Sequence, residues 1–174
     1  NLSGDPYVAM TAAALATTRI AIGTGVTNPW TRHPAVTACA ITCVDVEAGG
    51  RVTLGIGRGD SALAYLGLAP APVERLRTYL RHLRAYLRGE QHYRKSAWDS
   101  AAVAFGEAVE DDSTFALAQY RLAMTYGWTG NANSREAAAA GTAAVRYASR
   151  LPPEERSLVI AYRMFQEGKT AATD

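Results

Sequence analysis

Two short apolar segments that end in glycines, each followed by a helical segment, constrain this chain more than any other feature. The first is RIAIGTGV at 19–26 and the second is RVTLGIG at 51–57. β-Branched residues followed by glycines are typical of a strand that ends in a tight turn. Because strand, helix, strand and helix follow one another at short spacing, the pattern predicts parallel βα units.

The segments around these strands predict helices. YVAMTAAALAT at 7–17 predicts a buried helix, because alanine dominates it and glycine and proline are absent. A second helix is predicted over 34–46, with Pro34 in its first turn and AGG at its end as a glycine cap. A short third helix is predicted at 61–66.

The second half of the chain has a different sequence pattern. Leucines recur at helical spacing from 76 to 87 with arginines between them, and the apolar stripe alone favours a solvent-facing basic side over a membrane or nucleic-acid surface. From about residue 90 onward the sequence predicts only helices and turns, with Ser134 as an N-cap. We therefore expect a fold of the α/β plus all-α class, with an α/β segment at 1–89 and a helical segment at 90–174.

The turn GIGRGDSA after the second strand can stabilise an anion, because a strand that feeds a helix gathers several backbone N–H groups at one point. Gly57 and Gly59 allow close backbone approach, Arg58 supplies a cation and Ser61 a hydroxyl, and Asp60 is the expected helix N-cap. The spacing matches neither the Rossmann fingerprint nor a P-loop. A phosphate site and a purely structural turn therefore both stay open.

The turn GTGVTNPWTRHP after the first strand is the second candidate site. Gly25 at the strand end permits a bulge, a feature often kept for function. Thr27 and Asn28 offer hydrogen bonds, and Trp30 offers a flat apolar surface. His33 precedes a proline, and a structural role is favoured for it over a catalytic one.

Taken together, the two turns make residues 5–90 resemble the bacterial luciferase-like monooxygenase family. The resemblance is greatest to its deazaflavin (coenzyme F420) branch, which includes methylenetetrahydromethanopterin reductase-like enzymes. Such proteins are (β/α)₈ barrels that hold the cofactor at the C-terminal ends of the strands. A barrel of this kind needs about 250 residues, so two βα units imply a partial barrel with an incomplete cofactor site.

The resemblance also implies a cofactor, a reaction and site residues. Gly25 and Val26 would form the bulge that backs the deazaflavin ring, with Thr27 and Asn28 beside it. The phosphate-bearing tail of the cofactor would lie near the second turn, at Gly57, Arg58, Gly59, Asp60 and Ser61. The implied cofactor is coenzyme F420, with FMN as the alternative, and the implied reaction is hydride transfer with a small-molecule substrate. The resemblance assigns no catalytic acid or base.

The helical half resembles tetratricopeptide repeats, which are helix pairs of about 34 residues. The matching positions are Trp98, Ala101, Phe105, Ala108, Ser113, Leu122, Ala123 and Tyr126, with Gly89 and Tyr93 completing the first repeat. A generic helical bundle is the alternative. This resemblance implies a protein or peptide partner, and with it a second hypothesis for the chain, a non-enzymatic interaction module.

Composition narrows the partners and the compartment. A net charge of +2 gives no case for nucleic acid, and the absence of an apolar run of 18 residues argues against a membrane span. Cys39 and Cys43 are too few for a disulfide framework or a zinc site, so buried free thiols in the cytoplasm are predicted. The acidic run at 110–112 is interpreted as a helix-end charge cluster, and no metal site is predicted.

Overall fold

The computed structural model describes residues 4–151 and 153–171, and the chain divides into two compact units at 83/84. The first unit is built around a two-stranded parallel sheet in which Ile22 pairs with Val52 and Gly23 with Thr53. Its elements in chain order are α1 Pro6–Ala16, β1 Ile22–Gly23, α2 Pro34–Glu47, β2 Val52–Thr53 and α3 Asp60–Ala64. Helix α4, Val73–Arg94, contains the point of division.

The predicted parallel βα order is confirmed, but the strands are much shorter than the predicted 19–26 and 51–57. After the two paired residues, the Thr24 hydroxyl accepts the N–H of Gly55 at 2.9 Å and donates to its carbonyl oxygen at 2.8 Å. This side chain replaces the backbone ladder, which resumes only as an isolated bridge between Thr27 and Ile56. A hydroxyl that competes with backbone pairing in this way is not visible in the hydropathy pattern.

The helices of the first unit follow their predicted signals closely. Asp5 caps α1 by accepting the N–H of Tyr7 at 2.8 Å, and Pro34 opens α2 as predicted. The N-cap predicted at Asp60 is wrong. Gly59 holds that position with a left-handed φ of 89°, so that Asp60 becomes the first helical residue of α3.

The predicted burial of the two cysteines is also wrong. Neither cysteine forms a disulfide, but Cys43 is exposed and Cys39 is only half-buried. The buried face of α2 is formed instead by Ala35, Ala38, Ile41 and Val44. Four-residue spacing puts the cysteines on one side of the helix, and that side lies largely outside the core.

The second unit contains helices throughout its described residues. After the end of α4 come α5 Trp98–Asp111, α6 Ala116–Trp128, α7 Arg135–Arg146, a 3₁₀ turn at Ala148–Arg150 and α8 Pro153–Ala171. Short connections make α5 with α6, α6 with α7 and α7 with α8 successive packed pairs. The predicted cap is confirmed, since Ser134 accepts the N–H of Ala137 at 3.1 Å.

Aromatic rings and small residues fill the core of the second unit. The Tyr86 ring lies 5.6 Å from Phe105 in an edge contact and 5.1 Å from Phe115 in a stacked one. The fully buried alanines of these helices include Ala101, Ala108, Ala118, Ala123 and Ala137. Within 4–151 and 153–171, none of the helices combines the length and the apolar character that a bilayer crossing requires.

Candidate functional site

The two glycine turns lie side by side at the carboxyl end of the sheet. Thr27 donates its N–H to the carbonyl oxygen of Gly55 at 3.0 Å, and Gly57 donates to the carbonyl oxygen of Thr27 at 2.9 Å. These bonds continue the parallel alignment of β1 and β2 beyond the strands. Turns that are about 30 residues apart in the sequence therefore form one surface.

Close contact between the turns explains the glycines of the second one. A Cβ on Gly57 would lie 2.9 Å from Cγ2 of Val26, and a Cβ on Gly59 would lie 2.8 Å from Cβ of Asn28. Such distances are shorter than a carbon contact allows, so that any side chain would push the turns apart. Both glycines thus have a packing role that does not depend on a ligand.

The peptide bond between Gly25 and Val26 is cis, and it lies at the outer part of the first turn. Val26 is 57% exposed although it is apolar, and a Cβ on Gly25 would meet no atom within 4 Å. This end of the sheet therefore presents an open position with an apolar side chain beside it.

Thr27 and Asn28 are buried, and the structure gives them mainly structural contacts. The Oδ1 of Asn28 accepts the N–H of Trp30 at 2.9 Å and that of Thr31 at 3.1 Å. This is the Asx-turn arrangement, in which a side chain substitutes for the backbone. Asn28 consequently fixes the course of the loop into α2.

The second turn carries the charged residues of the candidate site. The Nε–H of Arg58 donates to the carbonyl oxygen of Ala71 at 2.6 Å. The N–H of Ala71 in turn donates to the backbone carbonyl oxygen of Arg58 at 2.9 Å. These bonds tie the turn to the segment before α4 and leave the Nη atoms as its cationic edge. Asp60 and Ser61 are exposed in the first turn of α3.

His33 has the structural role favoured for it. Its Nδ1 accepts the N–H of Ala35 at 3.2 Å and caps α2. Histidine nitrogen here takes the place of the serine or aspartate oxygen that usually caps a helix.

A buried group of hydroxyls near the starts of α1 and α2 was not predicted from the sequence. The hydroxyls of Thr37 and Tyr79 are 2.6 Å apart, and both residues are buried. Burial raises the pKa of Tyr79 to about 12, although the hydrogen bond with Thr37 acts in the opposite direction. The buried Tyr7 hydroxyl has no hydrogen-bond partner within the described residues. Helical periodicity predicts that Tyr79 lies on a buried face, but it does not predict Thr37 as the hydrogen-bond partner.

A second missed feature is the contact between Trp30 and Arg75. The guanidinium carbon of Arg75 lies 3.7 Å from the centroid of the indole ring, and its Nε donates to the carbonyl oxygen of Pro29 at 3.4 Å. The arginines of α4 are exposed, as predicted for a solvent-facing side. The spacing did not predict that the exposed Arg75 also contacts the loop after β1.

The surface of the two turns carries the kinds of chemical group that would bind a flavin or deazaflavin. A planar ring requires a flat apolar support, for which Val26 is exposed beside open space at Gly25. A phosphate-bearing tail requires N–H groups and a cation, and the first turn of α3 and the Nη atoms of Arg58 offer both. The residues present therefore fit such a group. Among the described residues no cluster of His, Cys, Asp and Glu could hold a metal ion.

Comparison with known proteins gives the same family as the turns. The sequence profile of the luciferase-like monooxygenase family matches residues 2–104. A 5,10-methylenetetrahydromethanopterin reductase of Methanolobus tindarius is 36% identical over 106 residues, which is 60% of this chain and 31% of that protein. A 4-hydroxyprotoasukamycin monooxygenase of Streptomyces nodosus subsp. asukaensis is 39% identical over 73 residues, which is 41% of this chain and 20% of that protein.

Among solved structures, a coenzyme F420 dependent tetrahydromethanopterin reductase from Methanopyrus kandleri aligns with a TM-score of 0.45 and 31% identity. The alignment covers 49% of this chain and 29% of that one. The chain thus spans less than a third of the length of these relatives. The family profile nevertheless covers more than half of the chain, and the chain belongs to the luciferase-like monooxygenase family.

Proposed function

We propose that the two glycine turns form the cofactor site of a luciferase-like oxidoreductase, which binds coenzyme F420 or, as the alternative, FMN. The observation that carries the proposal is the direct contact of the two turns at the carboxyl end of the sheet, through Val26 with Gly57 and Asn28 with Gly59. In barrels of parallel strands this end is where cofactors bind. The resemblance of the two turns to the deazaflavin branch of the family favours F420 over FMN.

The residues of the site divide into two groups by role. Gly25 and Val26 support one face of the ring, while Thr27 and Asn28 hold the loop in place through the hydrogen bonds described above. The tail of the cofactor lies along Gly57, Arg58, Gly59, Asp60 and Ser61, with Arg58 as the cation. The bound group supplies a hydride to or from a small-molecule substrate, and the chain supplies orientation and electrostatics.

The turnover of the whole enzyme requires more of a barrel than the described residues contain. A (β/α)₈ barrel has eight strands, whereas the described part of this chain pairs two. We therefore propose cofactor binding for this chain, and we assign turnover to an assembly in which the remaining strands are supplied.

Titration with F420 and FMN tests the proposal directly. We expect quenching of deazaflavin fluorescence with a dissociation constant in the micromolar range, and weaker binding of FMN. The variant V26D places a charge against the ring and should abolish binding, whereas V46D, at another exposed valine of the same unit on α2, should not. The proposal is wrong if neither cofactor binds the wild type at micromolar concentration.

A second candidate function is that of an interaction module built from tetratricopeptide-like helices. Gly89 favours it, because a Cβ at this position would overlap the ring of Phe105. A small residue that faces a ring across two helices is the packing such repeats use. Exposed apolar residues on α8, Met164 at 67% and Phe165 at 56%, would be available to a partner. Partner capture by the wild type and its loss in M164S/F165S would support this function, and equal capture by both would contradict it.

A further inference from the structure

The indole of Trp30 is held in a fixed position at the edge of the candidate site. Its backbone N–H donates to the side-chain Oδ1 of Asn28 at 2.9 Å, and the preceding Pro29 is buried. The guanidinium of Arg75 lies over the ring, with its carbon 3.7 Å from the centroid. A ring fixed by its own loop and by a neighbouring helix loses little conformational entropy when a ligand binds to it.

Trp30 remains 42% exposed in spite of these contacts. Because the guanidinium covers one face, the exposure lies on the other face and on the ring edge. Aromatic rings prefer offset-stacked or edge contacts with other rings, and such contacts stabilise beyond the burial of area. The open face is therefore suited to a planar ring.

The positive charge of Arg75 favours a ligand that carries an acidic group as well as a planar ring. The Nε of Arg75 donates to the Pro29 carbonyl oxygen at 3.4 Å, and within the described residues its Nη atoms form no hydrogen bond. In the described part of the chain no carboxylate forms an ion pair with Arg75, whereas the nearby Arg77 is paired with Glu74 at 2.6 Å. The Nη edge is thus open to a carboxylate or phosphate, which guanidinium groups bind well.

The position of the pair connects it with the cofactor site. Trp30 follows Asn28 by two residues in the first turn, and α4, which carries Arg75, begins two residues after Ala71, the hydrogen-bond partner of Arg58. Both residues therefore border the surface that the two turns form. A ligand ring on Trp30 would lie next to the cofactor position and not on it.

We propose that Trp30 and Arg75 form a substrate platform that selects a planar aromatic ring carrying an acidic group on a flexible chain long enough to pass the indole edge. This inference rests on the proposed function, because it names the substrate class of the same site. The indole stacks on the ring, and the acidic group passes the indole edge to reach the Nη atoms. A clamp that only fixes the loop would show neither preference.

Isothermal titration calorimetry with 4-(1-naphthyl)butanoate and its neutral amide tests the platform, because the three-carbon chain can pass the indole edge. We expect the wild type to bind the acid about tenfold more tightly than the amide, since a charge-assisted hydrogen bond is worth roughly 1.4 kcal/mol or more, a factor of ten. R75Q should bind the acid and the amide equally. R77Q, which removes an arginine from the same helix away from the platform, should keep the preference of the wild type. Equal binding of acid and amide by the wild type would overturn the proposal.

The contribution of the indole is measured with W30L and W30F. W30L keeps apolar bulk but removes the stack, and should weaken both probes by roughly tenfold, whereas W30F should weaken them less. Circular dichroism melts establish that each variant is folded. If W30L does not fold, the comparison is made with W30F alone. Unchanged affinity in W30L would show that the indole only clamps the loop.

The same variants separate this inference from the proposed function. F420 titration should give the wild-type dissociation constant for R75Q, because Arg75 lies on α4, outside both cofactor turns. If the wild type binds no cofactor but prefers the acid probe, the proposed function fails and the platform stands as a ligand site. If F420 binds and the acid preference is absent, the platform alone is wrong.

Discussion

Gly59 combines two constraints that each exclude a side chain. Its φ of 89° lies in the left-handed region, and a Cβ there would lie 2.8 Å from both Asn28 Cβ and Leu63 Cδ1. The first constraint concerns the backbone itself, and the second concerns the contact between the two turns. Gly49, at the end of α2, has a φ of 61° but open space around it, so that it shows the first constraint alone.

The variants G59A and G49A should therefore differ in stability. Strain at a left-handed position costs on the order of 1 kcal/mol for alanine, which we expect for G49A. G59A should lose about 2–4 kcal/mol, because the clash with a packed neighbour is added. Urea unfolding followed by circular dichroism measures both values. Equal losses would show that the turns can separate without cost.

Ionisation of the buried Tyr79 should lower the stability of the first unit at alkaline pH. Its pKa is raised to about 12 from an ordinary value of 10, chiefly by burial. A group whose folded-state pKa is raised binds its proton more tightly when folded, so its contribution is complete below pH 10 and is lost as the pH rises towards 12. The free energy of unfolding of the wild type should fall across this window. Y79F, which cannot ionise, should show a smaller fall in urea titrations at pH 9 and pH 11.5, and an identical fall would contradict the assignment.

At the scale of elements, the close approach of α4 and α5 depends on Gly89. Its Cβ position is occupied by the ring of Phe105, which is itself fully buried. Gly106, in the neighbouring helix, has no atom within 4 Å of its Cβ position. The two glycines thus form a matched pair in which only one is needed for packing.

G89A should destabilise the second unit by about 1–3 kcal/mol, because overpacking forces the helices apart. G106A should stabilise it by up to about 1 kcal/mol, since alanine has the higher helix propensity. Chemical denaturation followed by circular dichroism at 222 nm measures both changes. In the double variant G89A/F105L the loss should be less than the sum of the single losses, and full additivity would show that Phe105 is not the obstacle.

The helices could be predicted from the sequence because their signals are local. Pro34 opened α2 and Ser134 capped α7 where the sequence placed them, and alanine content identified α1. The strand ends could not be predicted, because they depend on the Thr24 hydroxyl meeting Gly55, 31 residues away. The arginines of α4 show the same limit, since their spacing does not reveal that Arg75 stacks on Trp30.

The candidate site is predictable to a similar extent. The glycine turns and their family resemblance came from the sequence, and the structure brings Val26, Asn28, Gly57 and Gly59 into contact. That Asn28 uses its side-chain oxygen within its own loop could not be foreseen, because an Asx turn and a ligand contact require the same residue. The role of these residues in cofactor binding stays a prediction.

For the whole molecule, cofactor binding should appear as a gain in stability, and not only as a spectroscopic change. A ligand that binds the folded chain alone stabilises it by about 2.7 kcal/mol at a hundredfold excess over its dissociation constant. F420 at that excess should raise the melting temperature of the wild type. The gain should be absent in V26D and complete in V46D, which carries the same charge change away from the turns.

This measurement also separates the two functions proposed for the chain. An interaction module without a cofactor site would show no shift with F420 at any concentration, and G89A would then be the variant that alters function. A shift that V26D abolishes and G89A leaves intact would place the binding in the turns, since Val26 contacts Gly57 there and Gly89 packs against Phe105 in the helical unit. A shift that survives in V26D would contradict the proposed position of the ring, because an acidic side chain at residue 26 cannot support an apolar face.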